Sequence, residues 1–215
     1  MKITVLCTDQ AHPIVLYLVE WLDEMSSRGH SVSLVFDKSE LMGGDVLFLV
    51  SCSQIIKNDD LKKYKTSLVL HASDLPQGRG WSPHIWEILN SKNVITVSLI
   101  EASDPVDSGQ IWLQKTISFQ GHELLDEINA QLFAAELYLM TTVIDNFQNI
   151  TPIDQKGDAG EWRRKRTPED SRLDPYKSIA DQFNLLRVVD EKRYPAFFEY
   201  CGIKYLLKIE KAKSE

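Results

Sequence analysis

Over the first 150 residues, short apolar runs rich in β-branched residues alternate with stretches of helical periodicity. Residues 2–7 form the first run. Residues 12–28 then place Ile14, Leu16, Tyr17, Val19, Leu22 and Met25 on one broad helical face. Gly29 stops that helix, and residues 31–36 predict the next strand. A strand, a helix and a strand in so short a span form a parallel crossover unit. Gly43 and Gly44 precede a third run, residues 46–50. Residues 66–70 predict a fourth strand, whose poor alternation indicates burial on both faces. Residues 83–89 predict a helix with Pro83 in its first turn, and residues 94–100 and 111–117 two more strands. Residues 123–147 predict the longest helix. The expected fold of residues 1–150 is a doubly wound, Rossmann-like α/β domain with a mostly parallel sheet.

The pattern changes at Thr151. Residues 151–175 are polar and rich in Asp, Arg, Lys and Pro, a loop too long to be idle in a compact domain. Residues 176–189 then predict a helix, and residues 194–200 and 204–209 a hairpin turned by Cys201 and Gly202. Residues 151–215 therefore read as a linker followed by a small helix and hairpin subdomain. The length suits one sizeable domain with a small appendix. Lys and Arg number 24 against 31 Asp and Glu, a net charge of −7, which argues against non-specific nucleic-acid binding. The apolar stretch at residues 13–22 is short and broken by Glu20, so no membrane span is expected. The N-terminus lacks the zones of a signal peptide, and Cys7, Cys52 and Cys201 are too scattered for a disulfide framework. Both point to a cytoplasmic protein. His12, His30, His84 and His122 show no metal-ligand spacing, and no metal is expected.

The chemistry concentrates in residues 71–83, HASDLPQGRGWSP. A histidine straight after a buried strand lies at the strand's carboxyl end, where open α/β sheets bind ligands. Pro76, Gly78 and Gly80 permit close backbone approach to a ligand. Asp107, Ser108 and Gly109 form a turn between two later strands, so Asp107 is placed to return to the same edge.

His71, Ser73, Leu75, Pro76, Arg79 and Gly80, followed by Asp107, Ser108 and Gly109, resemble the paired motifs of the formyltransferases that use 10-formyl-tetrahydrofolate. The family pattern is Asn-x-His-x-Ser-x-Leu-Pro with a later Asp-Ser/Thr-Gly turn. The resemblance implies acyl transfer from the folate N-10 to an amine, with His71 taking or relaying the amine proton and Asp107 orienting His71. It implies a pterin site along two loops, with Phe48, Val50, Ser51 and Cys52 in one and Ala102, Asp104, Val106 and Asp107 in the other. One departure is clear. The family asparagine that holds the formyl oxygen falls on Val69, which donates no hydrogen bond. Loss of such a donor costs about two to three orders of magnitude in rate. Ser73, Asn90 and a backbone N–H in residues 51–53 are the available replacements. Without one, the chain reads as a non-catalytic folate-binding or nucleotide-sugar-binding relative.

The resemblance also bears on the acceptor. The loop CTDQAHP lacks the Gly/Ser-rich phosphate cradle of the purine branch. The segment after residue 150 is too short for the β-barrel of the tRNA branch, and the charge has the wrong sign. The closing block is similar to that of sugar N-formyltransferases, in Asn184, Arg187, Tyr194, Pro195 and Phe197. A nucleotide-linked amino-dideoxy sugar of surface-polysaccharide synthesis is the expected acceptor. Arg187 suits its diphosphate and Tyr194 its base or sugar face, set against a helix charge and a hairpin opener. Ser73, Arg79 and Trp81 complete the expected substrate contacts. Another small amine is the alternative acceptor. The run Arg163 to Arg166 reads as a solvated tether in preference to a diphosphate clamp. A homodimer through Phe197, Phe198, Tyr200, Tyr205 and Leu207 is expected.

Overall fold

The structure is a computed structural model that describes residues 1–212. Six strands form the main sheet: β1 (Lys2–Leu6), β2 (Ser31–Val35), β3 (Gly44–Leu49), β4 (Tyr64–His71), β5 (Val94–Glu101) and β6 (Ile111–Ser118). Their order is β2-β1-β3-β4-β5-β6. The first four strands are parallel, β5 runs against β4, and β6 against β5. This is the doubly wound, mostly parallel sheet expected from the sequence.

Strand periodicity divides the side chains between two layers. Ile3, Val5, Val46, Phe48, Leu68, Leu70, Val97 and Leu99 enter the main core with α1 (Ile14–Ser27) and α4 (Leu125–Asn146). Leu6, Leu47 and Leu49 form a second cluster on the other face, against which Val69 and Leu61 of the short α2 (Asn58–Leu61) pack. Gly29, at φ +85°, ends α1: its N–H reaches Ser26 O and the His30 N–H reaches Met25 O, the paired bonds of a glycine-terminated helix.

The C-terminal segment departs from expectation. In place of a helix over residues 176–189 there is a turn at Ala180–Gln182 and a five-residue helix, α5 (Phe183–Arg187). Side chains take the backbone groups that a helix would use. Asp174 Oδ1 accepts from the Tyr176 N–H, Ser178 Oγ from the Asp181 N–H, and Gln182 Oε1 from the Asp174 N–H. The hairpin is present as β7 (Ala196–Tyr200) and β8 (Ile203–Leu207), starting two residues late because the Tyr194 N–H closes a turn onto Asp190 O. Cys201 and Gly202 both have positive φ, as a tight two-residue hairpin turn requires.

Arg187 joins this segment to the main domain. Its side chain is fully buried, with Nε donating to Glu123 O (3.1 Å), Nη2 to the Glu123 carboxylate (3.1 Å) and Nη1 to Asn93 Oδ1 (3.0 Å). Burial pushes the Glu123 carboxyl up, but the N–H groups of Gln120 and Gly121 and the Arg187 guanidinium outweigh it and hold it below its ordinary range. The expected diphosphate role does not fit this setting, because the Arg187 side chain is buried and each of its three nitrogens already donates inside the protein. Arg187→Met should cost about 3–5 kcal/mol in urea unfolding, because it strands a buried carboxylate.

Glu136 lies on the core face of α4, 7% exposed, and its Oε2 has no partner. Burial pushes its carboxyl up to about 8, so the folded chain holds a proton that the unfolded chain releases near pH 4.5. Between those values the folded state binds more protons, so stability falls as pH rises, by about 1.4 kcal/mol per unit. Glu136→Leu should flatten this slope and raise the melting temperature above pH 8, as thermal scans from pH 5 to 9 would show.

Candidate functional site

β4 continues past its apolar stretch and ends on His71, on the same face as Val69. The antiparallel β5 places Glu101 opposite Leu68, and the Ala102 N–H donates to Ser67 O (2.8 Å). The next loop thus leaves the sheet short of His71 and folds back over it. It carries Asp107 to the site, with Oδ1 3.6 Å from His71 Nδ1. Both side chains are 7% exposed.

The other ring nitrogen fixes the tautomer. His71 Nε2 is 2.9 Å from Gly78 O, and a carbonyl only accepts, so Nε2 carries the proton. The lone pair of the neutral ring is then on Nδ1, on the side of Asp107. Asp107 in turn accepts the Gly80 N–H at Oδ2 (2.9 Å), with its own backbone at φ +60°. The arrangement is a base with a carboxylate beside it, held by a donor other than the base.

Ser73 Oγ is buried and has no partner. It packs under Gly78, where an added Cβ would lie 2.9 Å from Ser73 Cβ. Its carbonyl is fixed by Ser98 Oγ (2.7 Å), which also accepts from Gln114 Nε2 (3.0 Å). Ser73 lies two residues beyond His71, its N–H bonded to the His71 carbonyl (3.0 Å), and its hydroxyl is free. Val69 offers no donor there and packs instead against Leu75, Ile100 and Ile111.

The expected pterin residues separate into two kinds. Phe48 and Val50 are fully buried, Phe48 edge-on to Trp21 at 5.9 Å, so their side chains are core. Ser51 turns the chain at φ +47°, and its Oγ lies 3.3 Å from His12 Nε2. Cys52 and Ala102, from the two loops, pack on the same small cluster as Val69. The two loops therefore meet beside β4. Asp104 and Val106 are exposed at the rim.

Of the expected substrate residues, Arg79 donates from Nη2 to Gln155 Oε1 (2.8 Å), and Trp81 is 39% exposed with Lys165 4.9 Å above its ring. Tyr194 is half-buried, and its carbonyl accepts from Ser171 Oγ (2.9 Å); none of its hydrogen bonds among the described residues reaches the His71 loop. The basic run is not a solvated tether. Arg164 pairs with Asp170, Arg163 with Glu87, and Arg166 is partly buried, donating to Val188 O and Ser171 Oγ. Burial lowers the Arg166 guanidinium. Ser98 and Gln155 carry no signal in the sequence, because their roles come from pairings that adjoin only in the folded chain.

His84 and His12 lie within electrostatic reach of each other, and His84 also of His71. Burial, then the neighbouring His71 and His12, push His84 down to about 4, so it is neutral, with Nδ1 unpartnered. Burial and Arg193 also lower His12, and its ring packs 5.9 Å from Phe133. Beside it, a groove of about 960 Å³ runs between the loop after β1, the start of α4 and the C-terminal segment. Asp9, Tyr17, Phe133, Asp190, Arg193 and Leu207 are among its walls. No group of three or more His, Cys, Asp or Glu is placed to hold a metal among the described residues, and no helix there is long and apolar enough to cross a membrane.

Gly80, at φ +106°, lies under the polar segment, and an added Cβ would sit 2.3 Å from Arg163 O. Gly80→Ala should cost more than about 1 kcal/mol in urea unfolding, from the strained backbone and the clash together.

A family profile described as formyl transferase matches residues 1–144. The bifunctional polymyxin resistance protein ArnA of Wigglesworthia glossinidia brevipalpis is 29% identical over 166 residues, 76% of this chain and 25% of that protein. The methionyl-tRNA formyltransferase of Finegoldia magna is 27% identical over 128 residues, 59% of this chain and 41% of that protein. The chain thus spans less than half the length of these curated relatives. Among solved structures, methionyl-tRNA formyltransferase from Clostridium thermocellum superposes with a TM-score of 0.82 at 21% identity, covering 99% of this chain and 94% of that one. HypX from Aquifex aeolicus in complex with tetrahydrofolic acid gives 0.81 at 21%, covering 97% and 37%. A 4-N formyltransferase from Francisella tularensis gives 0.71 at 19%, covering 99% and 98%. At these identities the structural likeness establishes the fold.

Proposed function

The chain belongs to the formyl transferase family, and we propose that it moves a formyl group from 10-formyl-tetrahydrofolate to the amine of a nucleotide-linked amino sugar. The observation that carries the reading is the buried His71–Asp107 pair, with an unpartnered hydroxyl on Ser73 two residues along the chain. These residues fit a formyl donor, since an orphaned buried hydroxyl needs an acceptor and a formyl oxygen is one. The donor supplies the formyl carbon and an amine leaving group at N-10. His71 takes the acceptor's proton at Nδ1, the nitrogen that its bond to Gly78 leaves unprotonated, as the new C–N bond forms, and returns it to N-10 as the C–N-10 bond breaks. Asp107, 3.6 Å away, stabilises the imidazolium that results. Ser73 takes the place of the asparagine missing at Val69 as donor to the developing oxyanion. The buried loops exclude water, which strengthens both interactions.

Support for a sugar acceptor comes from the fold shared with a sugar N-formyltransferase from Shewanella over nearly the whole of both chains. The −7 charge and the internally paired basic run disfavour a tRNA. The groove beside His12 has six carboxylates against three basic side chains, so its charge does not suit a diphosphate. Val69 favours a second reading, a folate-binding relative that transfers nothing.

The test is turnover of 10-formyl-tetrahydrofolate with dTDP-, UDP- and GDP-linked 3-amino and 4-amino sugars, products being read by mass. A formylated sugar supports the proposal, and folate binding with no product on any amine supports the second reading. His71→Ala and Asp107→Asn should each lower turnover at least about a hundredfold with folate binding near normal. Near-wild-type turnover in His71→Ala would remove the base.

A further inference from the structure

Asp107 has a left-handed backbone, at φ +60°, which costs an L-residue with a side chain about 1 kcal/mol or more. Asp tolerates this conformation in turns better than most residues, and contacts from outside the turn fix it further. The holding group comes from the polar segment after α4, which the sequence presents as a linker.

Gln155 is half-buried and reaches the turn from outside. Its amide nitrogen donates to Asp107 O (2.9 Å) and to Gly109 O (2.8 Å), and its amide oxygen accepts from Arg79 Nη2 (2.8 Å). The amide has one workable orientation. Flipped, its oxygen would face two carbonyls and its nitrogen a guanidinium. One side chain thus pins the turn on both sides of Ser108 and ties it to the loop after β4.

The same segment secures the other end of Asp107. The Arg163 N–H donates to Arg79 O (2.7 Å) and the Trp81 N–H to Arg163 O (2.9 Å), laying residues 79–81 along it. Gly80, between them, donates the N–H that holds the Asp107 carboxylate. Ile153 exchanges two backbone bonds with Ile111, at the start of β6, and so anchors the segment just ahead of Gln155. The strap therefore holds Asp107 by its backbone through Gln155 and by its carboxylate through Gly80.

We propose that Gln155 is a positioning residue for formyl transfer, holding Asp107 where its carboxylate faces Nδ1 of His71. This rests on the formyl-transfer reading above. The test compares Gln155→Ala and Gln155→Glu with the wild type. The Gln155→Glu variant keeps an acceptor for Arg79 but has no hydrogens for the two carbonyls. The assay uses 10-formyl-tetrahydrofolate and whichever amino sugar of the panel the wild type formylates. Both variants should lose at least about tenfold in kcat with KM for the folate within about twofold, Gln155→Glu no better than Gln155→Ala. In an Asp107→Asn background, Gln155→Ala should add less than about twofold, since both changes act through one contact. Unchanged kcat, or a full additional loss in that background, would overturn the proposal. A crystal structure of Gln155→Ala gives a readout without turnover. The Asp107 carboxylate should move by about 1 Å or more from its place beside His71, a displacement that can cost about a hundredfold in rate. An unmoved carboxylate overturns the proposal. A wild type inactive on every amine, with Asp107 displaced in Gln155→Ala, overturns the formyl-transfer reading and leaves Gln155 as the residue that positions Asp107.

Discussion

A carboxylate that faces an imidazole inside a protein has to be held by something other than that imidazole, or its position follows the protonation of its partner. Here Asp107 stands 3.6 Å from His71, beyond a normal hydrogen bond, while its second oxygen takes the N–H of Gly80. His71 is likewise held by Gly78 at its far nitrogen. Each member has an external tether, so the space between them depends on loops and not on their mutual attraction. The glycines follow from this, since Gly80 must pass within contact distance of Arg163 O while donating its N–H.

The sheet reversal gives this constraint its geometry. If β5 ran parallel to β4, its loop would emerge level with the end of β4. Because β5 is antiparallel, the chain leaves it opposite Leu68 and turns back. The returning loop covers the face on which Val69 and His71 lie, so the pair is a buried site roofed by a loop and not an open edge. Val69 fits this arrangement as packing, which leaves Ser73 as the polar group closest to the histidine in the chain without a protein partner.

The C-terminal third divides into two structural duties. Residues 151–166 serve the site through Gln155, Arg163 and Ile153. Residues 173–209 are fastened to the main domain by the buried Arg187–Glu123 pair and have their own small core around Leu173, Leu186 and Ala196. The arginines of this region are spent on the fold. Arg164 and Arg166 hold the turn at Pro168–Ser171, and burial against Glu123 and Asn93 keeps Arg187 from the surface. Ligand recognition by charge therefore falls to other residues.

The alternation of apolar runs and helical periodicity determined the strands, α1, α4 and the layered sheet, because burying one face of each element leaves few other solutions. The paired motifs pointed to the formyl transferase family, because His71 and Asp107 lie next to turns that only a few residue types can make. The fate of the polar segment was not legible in the sequence. Polar residues that pair with a distant loop look the same as polar residues that face water, whereas the helix expected at residues 176–189 failed for a local reason. Asp174, Ser178 and Gln182 satisfy the backbone locally. Arg187 shows the limit most plainly. An arginine on a short helix reads as a surface charge or a ligand group, and only the packing of Glu123 and Asn93 around it, more than sixty residues away in the chain, made it a buried tie. Local preference and burial pattern are written in the sequence, whereas the partner of a polar side chain is decided by which distant segment the fold brings against it.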